Sequence, residues 1–131
     1  MKLLLDTHIW VWSLLEPERL SRRVRRILGD DRNEVWVSPI STWEILLLCE
    51  KGRLQLDPDP DAWVEAALTR APLHEAPLTH EIARATRRLR LPHRDPADHF
   101  LAATALVLGL TLVTADTKVM RCREISVLPN R

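Results

Sequence analysis

The chain has 131 residues, a formal net charge of +1, 46% hydrophobic residues and 28% charged residues. That size and balance fit one globular domain with its own core, residues 1–131, and exclude a disordered polyelectrolyte or a disulfide-stapled miniprotein. Cys49 and Cys122 form no CxxC pair, so neither a disulfide framework nor a structural zinc is expected, and a reducing cytoplasm is the expected location.

Lys2 to Leu5 reads as a buried strand, and Thr7 to Leu15 as a helix broken at Glu16-Pro17-Glu18. Leu3-Leu4-Leu5 is cut off by Asp6 and His8, too soon for a signal-peptide core, and no apolar run reaches the ~20 residues of a membrane span. Ser21 is placed to cap a second helix to about Leu28, with Gly29 at its end. Val35-Trp36-Val37 is a short strand. Ser38-Pro39 then supplies an N-cap and a first-turn proline for a helix to about Lys51, stopped at Gly52. Leu56 to Pro60 reads as a loop, Asp61 to Arg70 as a helix, Leu73 to Ala76 as a strand and Thr79 to Leu89 as a helix. Pro92-His93-Arg94 is a turn. Asp95 can cap a helix from Pro96 to Leu108 that Gly109 ends. Leu110–Val113 and Ile125–Leu128 are the last strands. Strands that are apolar throughout and alternate with helices predict an α/β fold: a three-layer sandwich with a central parallel sheet flanked by helices.

Against this background four carboxylates stand in costly places. Asp6 follows Leu3-Leu4-Leu5, Glu44 interrupts Trp43 to Cys49, Asp98 opens an apolar helix and Asp116 follows Leu112-Val113-Thr114-Ala115. Desolvation penalises a lone charged carboxylate, so several beside apolar elements call for a compensating cation. No lysine or arginine sits beside them at matching positions, which makes a divalent metal the simplest candidate. Asp6 and Asp116 lie just past strand ends, where ligands bind in parallel sheets. Each acid also has an ordinary reading. Asp6 and Asp95 suit N-caps, Asp98 suits a first helical turn, and Asp116 suits a turn. Glu44 resists such a reading, because its helix is apolar nearly all round and Ser41 offers at most one hydrogen bond.

The other chemistry-bearing residues are less informative. His8, His74, His80, His93 and His99 form no HxxH or HExxH pattern, so a zinc site is not expected. His93 and His99 flank Asp95 and Asp98, where a substrate could touch them, but they read mostly as surface residues. The five tryptophans read as core or interface residues rather than base-stacking platforms. Arg19 to Arg26 and Arg84 to Arg94 form two arginine clusters suited to a polyanion.

Leu3-Leu4-Leu5-Asp6-Thr7-His8, Ser38-Pro39-Ile40-Ser41-Thr42-Trp43-Glu44-Ile45, His93-Arg94-Asp95-Pro96-Ala97-Asp98 and Leu112-Val113-Thr114-Ala115-Asp116 occur in this order. Together they resemble PIN domains, in particular the VapC-like toxin ribonucleases of type II toxin–antitoxin pairs, over essentially the whole chain. The resemblance implies a PIN-like fold and metal-dependent endonucleolytic cleavage of RNA. It assigns the catalytic and metal-binding acids to Asp6, Glu44, Asp98 and Asp116, with Asp95 as an additional acid. It further implies a small antitoxin as partner and a homodimer, with substrate preference varying in the segment Asp57 to Leu91. Mg2+ or Mn2+ suits an oxygen-only ligand set. Thr7, Ser41 and Thr114 are candidate hydroxyls for orienting water or phosphate, and the arginines for holding an RNA backbone.

Two other readings remain at this stage. A phosphoacceptor signalling domain also places acids at strand ends, but it calls for an acidic pair after the first strand, where Asp6 stands alone. A catalytically inactive PIN-like module that binds RNA or a partner is disfavoured by the presence of all four acids.

Overall fold

Leu3, Leu4 and Leu5 are each at most 2% exposed, because strand alternation sends them to opposite faces of a sheet covered on both sides. The computed structural model describes residues 1–92 and 95–131; the expected turn at His93 and Arg94 lies outside the described residues. The strands are β1 (Lys2–Leu5), β2 (Glu34–Val37), β3 (His74–Glu75), β4 (Thr111–Thr114) and β5 (Ser126–Pro129). All pairings are parallel, in the order β3-β2-β1-β4-β5. Leu4 faces Trp36 on one side and Leu112 on the other.

The helices are α1 (Thr7–Leu15), α2 (Arg22–Leu28), α3 (Pro39–Glu50), α4 (Pro60–Arg70), α5 (His80–Ala85), α6 (Pro96–Leu108) and α7 (Thr117–Met120). Leu3, Leu5, Val37, Val113 and Leu128 pack with Ile9 and Trp10 of α1, Val24 of α2, Ile45 of α3 and Val64 of α4. On the other face Leu4 and Leu112 meet Leu101 and Ala105 of α6 and Val119 of α7. Ile82 and Ala85 of α5 add a further cluster against Ala102 and Ala103 of α6. The result is the expected three-layer α/β/α sandwich.

The cap chemistry explains several helix starts. Ser21 Oγ accepts from Val24 N–H at 3.1 Å, and Ser38 Oγ from Ile40 N–H at 3.1 Å. Asp59 Oδ1 accepts from Ala62 N–H at 2.9 Å, and Asp95 Oδ1 from Ala97 N–H at 3.0 Å. A proline follows Ser38, Asp59 and Asp95, where a helix has no use for the missing N–H. Gly109 ends α6 at φ 66°, and Leu110 N–H closes onto Ala105 C=O at 2.9 Å.

Four local expectations need correction. The helix predicted from Thr79 to Leu89 ends at Ala85 and tightens into a 3₁₀ turn at Thr86–Arg88. Glu16-Pro17-Glu18 is not a plain break, since Pro17–Arg19 forms a 3₁₀ turn. The short helix α7 was not anticipated, because four residues carry no readable period. Lastly, α3 is not buried all round: only Ser41 and Ile45 are fully buried, and Trp43 is 50% exposed.

The strand order also bears on the rival signalling fold. A flavodoxin-like phosphoacceptor domain has the order 2-1-3-4-5, which differs from the order here. In this sheet the chain winds from β1 through β2 to β3 and then crosses back to place β4 against β1. The crevice beyond the carboxyl ends of β1 and β4 is therefore the topological switch point, where this architecture offers a ligand site.

Candidate active site

Beyond those two strand ends lies a cavity of about 300 Å³. Five carboxylates line it: Asp6, Glu44, Asp95, Asp98 and Asp116. His8, Trp12 and Ala115 complete its wall. Residues from four separate stretches of sequence thus meet in one place, because β1, β4, α3 and α6 all present an end or a first turn to the same sheet edge.

Asp6 occupies the N-cap position of α1, but its side chain makes no cap hydrogen bond. Its backbone N–H continues the sheet ladder to Val113 C=O at 3.0 Å. Its Oδ2 instead accepts from Thr114 Oγ1–H at 2.6 Å. The ordinary capping reading of Asp6 is therefore not realised. The residue is 8% exposed, and burial holds its carboxyl above the usual range although Thr114, His8 and the Thr7 backbone favour the charged form.

Asp98, also 8% exposed, sits in the first turn of α6. Burial pushes its carboxyl up to about 8, and the charges of Asp6, Asp95, Asp116 and Glu44 act in the same direction. Glu44 is half-buried. Its carboxyl is raised by desolvation, opposed by a hydrogen bond from Thr7, and raised further by Asp95 and Asp6. Thr7 Oγ1 is also hydrogen-bonded to the Ser41 hydroxyl, with the two oxygens 3.0 Å apart, and both hydroxyl residues are fully buried. The partner that the α3 sequence lacked for Glu44 thus comes from α1.

Asp95 both caps α6 and lines the cavity, so its two readings coexist. Asp116 has a similar double position. Its Oδ1 accepts from Lys118 N–H at 2.8 Å at the start of α7, while its own N–H donates to Thr114 Oγ1 at 3.0 Å. Thr114 therefore ties the two strand-end aspartates together. Among the described residues no arginine lines the cavity. The α2 arginines Arg22, Arg23, Arg25 and Arg26 are all exposed, and Arg84 and Arg88 line a separate surface hollow with Glu81. His99 is half-buried and does not line the cavity, and His93 lies outside the described residues.

His8 and Trp12 are lining residues that the sequence reading does not single out, since the tryptophans read as core or interface residues and the histidines form no metal pattern. A signal was present: His8 and Trp12 are four apart on α1, so they share a face one turn from Asp6.

Residues 3–124 match the PIN domain family. The chain belongs to that family. Within it, the chain is 31% identical over 124 residues to Ribonuclease VapC22 of Mycobacterium tuberculosis (strain ATCC 25618 / H37Rv), covering 92% of each protein. Its fold is similar to that of VapBC2 from Rickettsia felis bound to a promoter DNA fragment, with a TM-score of 0.75, 18% identity and 98% of both chains covered. DNA-bound VapBC from Salmonella typhimurium gives a TM-score of 0.72 at 21% identity, covering 100% of this chain and 99% of the other. The PIN assignment agrees with the strand order and with the acid cavity at the switch point.

The donor chemistry of this PIN site fits a hard divalent cation. Its carboxylates offer oxygen donors only, and their mutual repulsion favours a positive charge between them. Among the described residues, no three His, Cys, Asp or Glu side chains are already drawn into a closed ligand set. Carboxylates without a cation between them repel, so an open arrangement is the physical expectation.

Proposed function

We propose that this protein is the toxin ribonuclease of a toxin–antitoxin pair, an endoribonuclease that hydrolyses RNA phosphodiester bonds with Mg2+ or Mn2+. The observation that carries this reading is the convergence of five carboxylates in one cavity at the switch point of the sheet. Membership of the PIN family and the likeness to a VapC ribonuclease over 92% of the chain support the nuclease activity. Asp6, Glu44, Asp98 and Asp116 are the proposed catalytic and metal-binding residues, acting directly or through water.

A divalent cation bound there would acidify a water and offset charge on the scissile phosphate. The chain's own residues prepare for this. Thr114 fixes one oxygen of the Asp6 carboxylate, and Asp6 lines the cavity. Thr7 hydrogen-bonds Glu44 and is itself hydrogen-bonded to Ser41. Without a cation, burial and its acidic neighbours keep the Asp98 carboxyl protonated near neutral pH, and a bound cation would favour its charged form. Asp95 adds negative charge while anchoring the start of α6.

The proposed partners are an RNA substrate, a small cognate antitoxin and a second copy of the chain. The antitoxin is suggested by the VapBC complexes that share the fold. The exposed apolar side chains Trp43 and Leu68 suit covering by another protein surface. Among the described residues no helix is long and apolar enough to cross a membrane, and the proposed location is the cytoplasm, where RNA is met.

The test is cleavage of a panel of structured RNAs by purified protein with Mn2+ or Mg2+. Asp6→Asn and Asp98→Asn should each abolish cleavage with the circular dichroism spectrum unchanged. Full activity in both variants overturns the site assignment. Absence of cleavage by the wild type, freed of antitoxin, favours an inactive binding module.

A further inference from the structure

We propose that His8, Trp12 and Arg19 form the substrate-binding wall that seats the nucleotide next to the scissile phosphate, its base on the aromatic side chains and its flanking phosphate on Arg19. This proposal rests on the nuclease reading and deepens it. Trp10 and Trp12 are two residues apart on α1 but have different fates. Trp10 is sealed in the core at 2% exposure, whereas Trp12 is only partly covered and borders the acid cavity. The Trp12 and His8 ring centroids are 5.7 Å apart at an angle of 52°. The Arg19 Cζ lies 4.1 Å from the Trp12 ring centroid, and its Nη1–H donates to Glu16 Oε2 at 3.2 Å.

The wall is held in register with the acids. Asn130 Nδ2–H donates to Arg19 C=O at 3.0 Å, and Asn130 Oδ1 accepts from Ser21 N–H at 2.7 Å. The Asn130 backbone N–H donates to Thr114 C=O at 2.8 Å. The loop that carries Arg19 is thus tied to the strand end whose hydroxyl orients Asp6.

The chemistry of the cavity explains the need for such a wall. Carboxylates alone repel an RNA backbone, so the rim must supply attraction of another kind. Single-stranded RNA exposes base faces, which stack on aromatic rings and guanidinium planes, and its phosphates attract arginine. His8 and Trp12 offer ring faces at the cavity itself, and Arg19, which does not line it, brings its charge over the Trp12 ring.

Stacking is made equally before and during bond cleavage, so its loss should appear in KM more than in kcat. The experiment uses a short single-stranded RNA whose cleavage site has been mapped with the wild-type protein and Mn2+. Trp12→Leu keeps an apolar side chain but removes the ring, and should raise KM about tenfold, as expected for one stacked base. Trp12→Phe should restore most of that loss. Arg19→Gln should weaken the dependence of RNA binding on log salt by about 0.7, the contribution of one phosphate contact on a single strand. An RNA with an abasic residue beside the cleavage site should bind the wild type as weakly as Trp12→Leu binds the intact RNA. It should lose nothing further with that variant.

An unchanged KM in Trp12→Leu, or an unchanged salt slope in Arg19→Gln, overturns the wall while leaving the nuclease reading intact. If Trp12→Leu does not fold, the abasic RNA on the wild-type protein decides: affinity equal to that for intact RNA overturns the base seat. Failure of the wild type to cleave any RNA overturns both readings.

Discussion

Thr114 Oγ1–H donates to Asp6 Oδ2 at 2.6 Å, joining residues 108 positions apart in sequence. This bond links the ends of β1 and β4 at the point where the sheet reverses its winding. The same oxygen of Thr114 accepts from the Asp116 N–H, so one buried hydroxyl sets the positions of two acids.

Thr114→Val keeps the side-chain shape and removes that donor. Leaving the buried Asp6 carboxylate without it should lower stability by about 1–3 kcal/mol, measured by urea denaturation at pH 7. The Thr114 bond favours the charged carboxylate, so its loss raises the Asp6 carboxyl further. The acid limb of the pH–rate profile should move to higher pH.

Asp98 makes the metal-free protein sensitive to alkali. Its carboxyl lies at about 8 in the fold against an ordinary 3.8, so the folded state binds a proton that the unfolded chain has released. Its contribution to stability is fully present below about pH 4 and is lost as pH rises through about 8. Asp98→Asn removes this dependence. In EDTA at pH 9 the variant should melt several degrees above the wild type, the shift that about 1 kcal/mol brings to a domain of this length. A lower melting temperature at that pH would contradict the buried, repelled position of Asp98.

Binding of Mn2+ should release protons. Near pH 7 Asp98 is largely protonated, and a cation among these acids favours the charged form. Calorimetry in buffers of different ionisation enthalpy should detect this release at pH 7, and it should shrink above pH 9. Affinity should rise with pH across the same interval. In Asp98→Asn the part of the release that titrates near pH 8 should vanish.

Gly109→Ala separates fold from chemistry. Gly109 has φ +66°, and an added Cβ meets nothing within 4 Å, so the cost is one of backbone conformation alone. A loss of about 1–2 kcal/mol is expected for an alanine in this left-handed position, seen as a lower denaturation midpoint. RNA cleavage at 25 °C should be unchanged, since the opposite end of α6 carries Asp95 and Asp98.

Glu44 shows how far the sequence could be read. Its anomaly is visible as an acid within an apolar run, but an apolar run does not by itself mean enclosure. The helix is not enclosed: Trp43 is 50% exposed and Leu46, Leu47 and Leu48 are partly covered. An apolar helix can owe its composition to a surface as well as to a core. Asp6 shows the converse. Its backbone takes the N-cap position that local preference favours, while its side chain turns to Thr114, which no local rule can identify.

Local chemistry by itself determined the elements and their starts. Ser38-Pro39 and Asp95-Pro96 mark helix starts because a cap oxygen and a proline each solve the problem of unsatisfied N–H groups nearby in sequence. Uniformly apolar strands determined a sheet covered on both faces. Only the tertiary structure decided that β4 returns beside β1, and hence that Asp6, Glu44, Asp98 and Asp116 share one cavity with Trp12 at its rim. That juxtaposition depends on packing between distant segments. The raised carboxyl of Asp98 depends on it too, because repulsion among charges is fixed by their separation in space.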